Sequence, residues 1–204
     1  MNRKLAALAA FAVLFAASAS AQLVVRVGMD LEGTYKTLSS ENITLSTTTV
    51  NDDPDNYSDA HLGFTLSAEY LLDVERFMLL GAGFSFQIPR DLQSAASDRP
   101  TLSYLTPYAT VRLPLRVEGV TMGPVGRIGF TFMLPDQAMK DLDSYDSIKP
   151  GIYWAAGLTM QLGSGLFADV VYSENRTSGE YTGAFDIVES NRYSAVEISL
   201  GYRF

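Results

Sequence analysis

The sequence Val-Glu-Ile-Ser-Leu-Gly-Tyr-Arg-Phe, residues 196–204, alternates apolar with polar or small side chains and ends on an aromatic residue. In a β-strand, successive side chains point to opposite faces of the sheet, so this stretch predicts one apolar and one polar face. The apolar face would carry Val196, Ile198, Leu200, Tyr202 and Phe204. A single strand of this kind is common, and the fold therefore depends on whether the pattern recurs.

The same two-residue period recurs in seven earlier segments of the chain. They cover residues 23–32, 62–70, 78–87, 105–113, 122–132, 152–162 and 166–173. After Gln22 no apolar stretch reaches the length of about 20 residues that a membrane-spanning helix needs, and no long segment shows helical spacing. The pattern therefore predicts eight antiparallel strands. Because proline removes a ladder hydrogen bond, we expect a bulge or local distortion at Pro107 and a weak start of the fifth strand at Pro124.

The connections between these segments alternate between short and long. Short connections fall near residues 71–75, 114–119 and 163–165, and long polar ones near residues 34–59, 89–101, 134–149 and 175–191. This alternation places all long connections at one end, as in outer-membrane barrels with short periplasmic turns. The predicted fold is an eight-stranded antiparallel transmembrane up-and-down β-barrel with four long extracellular loops and periplasmic termini.

The first 21 residues predict a signal peptide. Arg3 and Lys4 give a basic start, an apolar run covers residues 5–17, and Ala19-Ser20-Ala21 provides a small-residue cleavage site. We expect cleavage between Ala21 and Gln22, so that residues 22–204 form the barrel domain.

Nine charged residues lie on the polar faces of the predicted strands, and their environment differs between the possible folds. They are Arg26, Asp30, Glu32, Glu69, Arg112, Arg127, Asp169, Glu197 and Arg203. In the alternative fold, a soluble sandwich or lipocalin-like barrel, these side chains would point into water. In a membrane barrel they point into a narrow lumen, where buried charges must pair. We therefore expect a lumen charge network that plugs the barrel, with a gated polar path as the alternative.

The whole mature chain resembles small eight-stranded outer-membrane proteins, namely the OmpA transmembrane domain, OmpX, OmpW and the opacity proteins. The resemblance rests on the eight alternating segments and on Val196–Phe204, which is similar to the terminal signal read by the barrel-assembly machinery. It implies an outer-membrane location, contact with outer-membrane lipid, and a structural or surface-interaction role in which the loops bind host or surface ligands. The alternative is an OmpW-like narrow channel for small, including hydrophobic, solutes.

Composition argues against several other functions. The chain has no cysteine, one histidine and a net charge of −8, which exclude thiol chemistry and make nucleic acid an unsuitable partner. His61 is followed by Leu62 and Gly63, so the His-x-Ser pair of outer-membrane deacylases is missing. The acidic run from Asn51 to Asp55 lacks the spacing of a calcium loop. We therefore expect no catalytic residues, cofactor or metal.

Overall fold

The computed structural model describes most of the chain after residue 20. The described ranges are residues 21–43, 46–49, 57–60, 63–75, 77–91, 101–117, 120–134, 147–163, 165–181 and 186–204. Within them there is no helix with the length and apolar character needed to cross a membrane. The segment 1–20, which covers nearly all of the predicted signal peptide, lies outside these ranges, and cleavage between Ala21 and Gln22 stays a prediction.

Eight long strands form a closed antiparallel barrel in the described part of the chain. They are β1 (Ala21–Ile43), β2 (Gly63–Glu75), β3 (Met78–Gln87), β4 (Tyr104–Arg112), β5 (Val120–Met133), β6 (Ser147–Leu162), β7 (Leu166–Tyr181) and β8 (Asp186–Arg203). Each strand pairs with the next along the chain, and β8 pairs with β1 from Val24↔Arg203 to Asn42↔Asp186. The predicted eight-stranded antiparallel β-barrel is therefore confirmed.

Short strands extend this barrel. Ser46–Thr49 and Tyr57–Ala60 pair with β1, and Leu115–Val117 pairs with β5. Arg90–Asp91 and Thr101–Leu102 form a separate two-stranded sheet. Leu115–Val117 keeps the register that β4 has with β5, so it continues β4 after an interruption at Leu113 and Pro114.

The two faces of the barrel wall separate apolar from polar side chains. On β5, Ile128 and Phe130 are 65% and 64% exposed, whereas Arg127 before them and Thr131 after them are buried. Such large apolar side chains on the outside are expected where the surrounding medium is lipid. The exposed apolar set continues around the barrel with Leu23, Phe64, Phe84, Leu158 and Leu200 among its members.

Two of the departures from a regular ladder involve residues that the sequence analysis singled out. β1 shifts register between Asp30 and Glu32, so that Asp30 pairs with Glu197 but Glu32 pairs with Val196. Such a bulge inserts one extra residue and changes the phase of the strand. At Pro107 there is no register shift. Instead, the pairing of β4 with β5 keeps its register but passes over Thr106 and Pro107, because proline has no N–H to donate.

The long connections are more ordered near the barrel than the sequence suggested. Residues 175–191, predicted as a loop, largely extend β7 and β8, which pair as far as Tyr181↔Ile187. β1 likewise continues through residues 34–43, which were predicted as loop. Outside the membrane both faces of a strand can be solvated, so polar sequence does not prevent pairing. The prediction of long loops beginning at residues 34 and 175 was wrong in this respect.

Candidate functional site

Five charged side chains from five different strands meet inside the barrel. Arg26 of β1, Glu69 of β2, Arg112 of β4, Arg127 of β5 and Asp169 of β7 are all buried, none more than 5% exposed. Each occupies an inward position of its strand, because inward and outward side chains alternate along the pleat. We call these five residues the central cluster.

Asp169 contacts all three arginines of the central cluster. Its Oδ2 accepts from Arg112 Nη2 at 2.8 Å and from Arg127 Nη2 at 2.7 Å, and lies 3.2 Å from Arg26 Nε. Its Oδ1 accepts from Arg112 Nη1 at 3.0 Å, so the pair of Arg112 and Asp169 is bidentate. Bidentate pairs of this kind are among the strongest ion pairs in proteins.

Glu69 makes the corresponding contacts from the other side of the lumen. Its Oε2 lies 2.8 Å from Arg26 Nη1 and 3.0 Å from Arg112 Nη2, while its Oε1 lies 3.1 Å from Arg127 Nε. The Tyr108 hydroxyl donates to the same Oε1 at 3.0 Å. Each carboxylate therefore contacts every arginine of the central cluster. The guanidinium nitrogens of Arg26 make no hydrogen bond of good geometry, so Arg26 contributes mainly through its charge.

The central cluster separates the lumen into two parts. At the end of the barrel that carries Arg203 and Gln22, which the predicted orientation makes the periplasmic side, a cavity of about 820 Å³ is lined by Arg112, Arg116, Arg203 and Asp73 among others. On the extracellular side, the corresponding cavity is only about 20 Å³. Between them the side chains of Arg26, Arg112, Glu69 and Asp169 are entirely inaccessible. The described residues thus place a solid polar layer across the barrel.

Arg203 lies at the periplasmic end and not in the central cluster. Its Nη1 donates to Gln22 Oε1 at 3.1 Å, and Gln22 Nε2 donates in turn to Asp73 at 3.1 Å. The ring of Phe167 is near both Arg203 and Arg112, whose guanidinium carbons are 5.5 and 6.0 Å from its centroid. Arg203 therefore contacts the wall of the periplasmic cavity through cation–π and hydrogen-bond interactions.

Asp30 and Glu197 form a second layer on the extracellular side of the central cluster. They are direct partners across β1 and β8 and are 3% and 8% exposed. Asp30 Oδ2 accepts from Gln87 Nε2 at 2.9 Å and from the Tyr193 hydroxyl at 3.2 Å. Glu32, the remaining predicted lumen charge, follows the bulge, and its side chain lies outside what is described.

Several residues of the site carried no charge and were not selected from the sequence. Tyr108, Tyr153 and Gln87 lie on predicted inward positions, so alternation alone could have pointed to them. Two glycines provide space for long side chains. A Cβ at Gly201 would lie 2.4 Å from Arg26 Cγ, and one at Gly28 would lie 2.7 Å from Glu197 Oε1.

A further group of charges lies on the outer face of β7 and β8. Arg176 and Arg192 are direct cross-strand partners, and both donate to Glu174. The Glu174 side chain is fully buried, whereas the two arginine side chains are 57% and 47% exposed. Glu174 pairs across β6 with Trp154, whose ring lies 5.5 Å from that of Tyr172. We call Glu174, Arg176 and Arg192 the outer arginine group.

The predicted assembly signal forms the outward side of β8. Ile198, Leu200, Tyr202 and Phe204 are exposed and Val196 is half-buried. The backbone N–H of Phe204 donates to Leu23 at 2.9 Å, and its ring lies edge-on to Tyr202 with centroids 5.0 Å apart. Recognition of this strand by the barrel-assembly machinery stays a prediction.

The first long connection carries the acidic run and the single histidine of the chain. His61 and the run from Asn51 to Asp55 lie outside the described residues. Within the described ranges, no three or more His, Cys, Asp or Glu side chains are grouped so that they could hold a metal ion.

The barrel is similar to solved outer-membrane proteins. It matches the outer membrane protein OprG from Pseudomonas aeruginosa with a TM-score of 0.52 at 13% identity, covering 91% of this chain and 96% of that one. It matches Neisserial surface protein A with a TM-score of 0.50 at 12% identity, covering 89% and 97%. At such low identity these matches show the fold alone. A sequence search of curated proteins finds no match.

The family comparison covers nearly the whole chain. Residues 5–204 match the family described as "Outer membrane protein beta-barrel domain". The match agrees with the closed eight-stranded barrel and its apolar outer face. The chain therefore belongs to the outer-membrane protein β-barrel domain family.

Proposed function

We propose that this outer-membrane protein is a non-conducting scaffold that presents its extracellular connections for binding to surface partners. The observation that carries this proposal is the central cluster, in which two carboxylates contact three arginines across the whole lumen. An ion moving along the barrel would have to separate these contacts in a region from which water is excluded. Separating buried ion pairs is costly, so the barrel supports display better than conduction.

The first prediction concerns conductance. The refolded protein is expected to give no discrete openings in planar bilayers, because the central cluster occupies the cross-section of the barrel. Heat-modifiable gel mobility provides the control that the sample is folded. Reproducible openings from a folded sample would contradict the scaffold proposal.

The outer arginine group supports an interaction with anionic lipid. From Leu166 to Arg176, ten residues of strand span about 33 Å, or about 25 Å of height at a tilt of about 40°. This equals the approximate height of the apolar band of an outer-membrane barrel. Arg176 and Arg192 therefore fall at the level of the lipid headgroups on the extracellular side, just beyond Trp154 and Tyr172. Exposed arginines at this level attract anionic headgroups.

The second prediction tests this contact. Lipopolysaccharide added to detergent micelles is expected to raise the unfolding temperature of the wild type more than that of an Arg176→Gln/Arg192→Gln variant. At about 1 kcal/mol for each basic residue near an anionic surface, the difference in the free energy of unfolding is about 2 kcal/mol. The Arg176→Lys/Arg192→Lys variant keeps both charges and is expected to retain most of the effect. An equal response of wild type and glutamine variant would contradict the contact.

The second candidate function is lateral passage of small apolar solutes through the wall. A groove of about 380 Å³ lies on the lipid-facing side near Ala109, Gly126, Ile128 and Trp154, beside the ladder gap at Thr106 and Pro107. The hydroxyls of Thr106 and Thr131 lie 3.2 Å apart across this gap on the inner side. Because this hydrogen bond lies across the gap, lateral passage is the second candidate function and not the first. Uptake of an uncharged apolar solute into protein-containing vesicles, above that of protein-free vesicles, would favour this function over the scaffold.

A further inference from the structure

The extracellular cavity of the lumen has walls rich in oxygen atoms. Asp30 and Glu197 face each other across β1 and β8, and Gln87 and Asn175 also line the cavity. Like charges on directly opposite residues of neighbouring strands destabilise a sheet. The two buried carboxylates therefore create a local demand for positive charge.

Two amide oxygens in the same cavity have no hydrogen-bond partner. Gln87 and Asn175 are each 6% exposed, and Gln87 Oε1 and Asn175 Oδ1 are both without a donor. The orientation of the Gln87 amide follows from its Nε2, which donates to Asp30 at 2.9 Å. Buried polar atoms without partners are rare and indicate a missing donor or ion. A cation would satisfy both oxygens.

We propose that Asp30, Glu197, Gln87 and Asn175 form a binding site for a hard cation, for which Ca²⁺ is the best match. Carboxylate and amide oxygens are the ligands that Ca²⁺ takes in proteins, in flexible geometry. The cavity of about 20 Å³ exceeds the roughly 10–15 Å³ that a single water needs, so it has room for one ion. This site has only two acidic ligands, because its other two ligands are amides. It is therefore consistent with the absence, among the described residues, of any group of three or more His, Cys, Asp or Glu side chains that could hold a metal ion.

Terbium luminescence offers a direct test on the full-length folded protein in detergent. Tb³⁺ replaces Ca²⁺ at oxygen sites and emits when a nearby tyrosine is excited. Tyr104 and Tyr193 line the cavity, and the Tyr193 hydroxyl lies 3.2 Å from Asp30 Oδ2. We expect tyrosine-sensitised emission that added Ca²⁺ displaces.

Matched variants separate this site from other acidic groups. Glu197→Gln and Asn175→Leu are each expected to lower the affinity for Tb³⁺ and Ca²⁺ by about tenfold or more. A variant with Asp52→Asn, Asp53→Asn and Asp55→Asn in the first long loop is expected to keep the affinity. Heat-modifiable mobility checks that every variant is folded. Absence of sensitised emission from folded wild type, or emission that survives Glu197→Gln but disappears in the loop variant, would overturn the proposal.

Discussion

Replacing Asp169 with asparagine is expected to lower the free energy of unfolding by about 3–5 kcal/mol, the usual effect of removing one partner from a buried ion pair. Asp169 contacts Arg26, Arg112 and Arg127 at distances of 2.7 to 3.2 Å. In the variant, Glu69 would be the one carboxylate left among three buried arginines. The change in shape is minimal, so the loss would report on charge and not on packing.

The measurement is urea unfolding in lipid vesicles, monitored by the fluorescence of Trp154 and by gel mobility. Asp73→Asn provides the control, because Asp73 is an exposed carboxylate at the periplasmic end and its replacement removes the same charge. The control is expected to change the stability by about 0.5 kcal/mol or less. A similar loss in both variants would mean that the central cluster has no special role in stability.

A second substitution sharpens this test. Arg127→Met removes one of the three arginines and leaves two arginines with two carboxylates, so we expect it to destabilise less than Asp169→Asn. Adding Arg127→Met to Asp169→Asn removes one of the unmatched positive charges. The loss in the free energy of unfolding of the double variant is therefore expected to be smaller than the sum of the losses of the two single variants. Strict additivity would contradict a shared charge network, because contacting residues couple and distant ones do not.

The sequence predicted the barrel because the lipid boundary acts on every strand in the same way. On β5, the apolar side chains of Ile128 and Phe130 face lipid, whereas the polar side chains of Arg127 and Thr131 face the lumen. Because successive side chains of a strand point to opposite faces, apolar and polar residues alternate with a period of two. The same reasoning placed Arg26, Glu69, Arg112 and Asp169 on inward positions. Alternation thus predicted which side of the wall these residues occupy.

Alternation does not predict the height of a residue along the barrel axis. Height depends on strand tilt and on the register between neighbours, which the side-chain pattern leaves open. For this reason the sequence suggested one lumen network, whereas the structure has separate levels. Asp30 and Glu197 lie on the extracellular side of the central cluster, and Arg203 lies at the periplasmic end beside Gln22.

The bulge in β1 had no signal in the sequence. Leu31 and Glu32 continue the alternation that begins at Leu23, so Glu32 was assigned to the lumen. The extra residue between Asp30 and Glu32 instead pairs Glu32 with Val196. The strand ends were missed for a related reason, because the apolar pattern reports the part of a strand that crosses lipid. Residues 175–181 and 186–191 pair beyond that boundary.

Replacing Phe204 with serine is expected to reduce the amount of protein in the outer membrane several-fold while leaving the folded barrel almost as stable. We propose that Val196, Ile198, Leu200, Tyr202 and Phe204 are read together during assembly. The Phe204 ring is 73% exposed and has little packing to lose, so the stability should fall by about 1 kcal/mol or less. Its backbone N–H, which donates to Leu23 at 2.9 Å, is unchanged by the substitution.

Two measurements together separate assembly from stability. Quantitative detection in isolated outer membranes reports assembly, and urea unfolding of protein refolded in vesicles reports stability. Phe77→Ser is the matched control, since Phe77 is also exposed at the periplasmic end but lies in the turn before β3. If the two variants reach the membrane equally well, Phe204 has no special part in assembly. If Phe204→Ser is depleted and also loses several kcal/mol in vesicles, the role of the Phe204 ring is to stabilise the end of β8, where it lies edge-on to Tyr202.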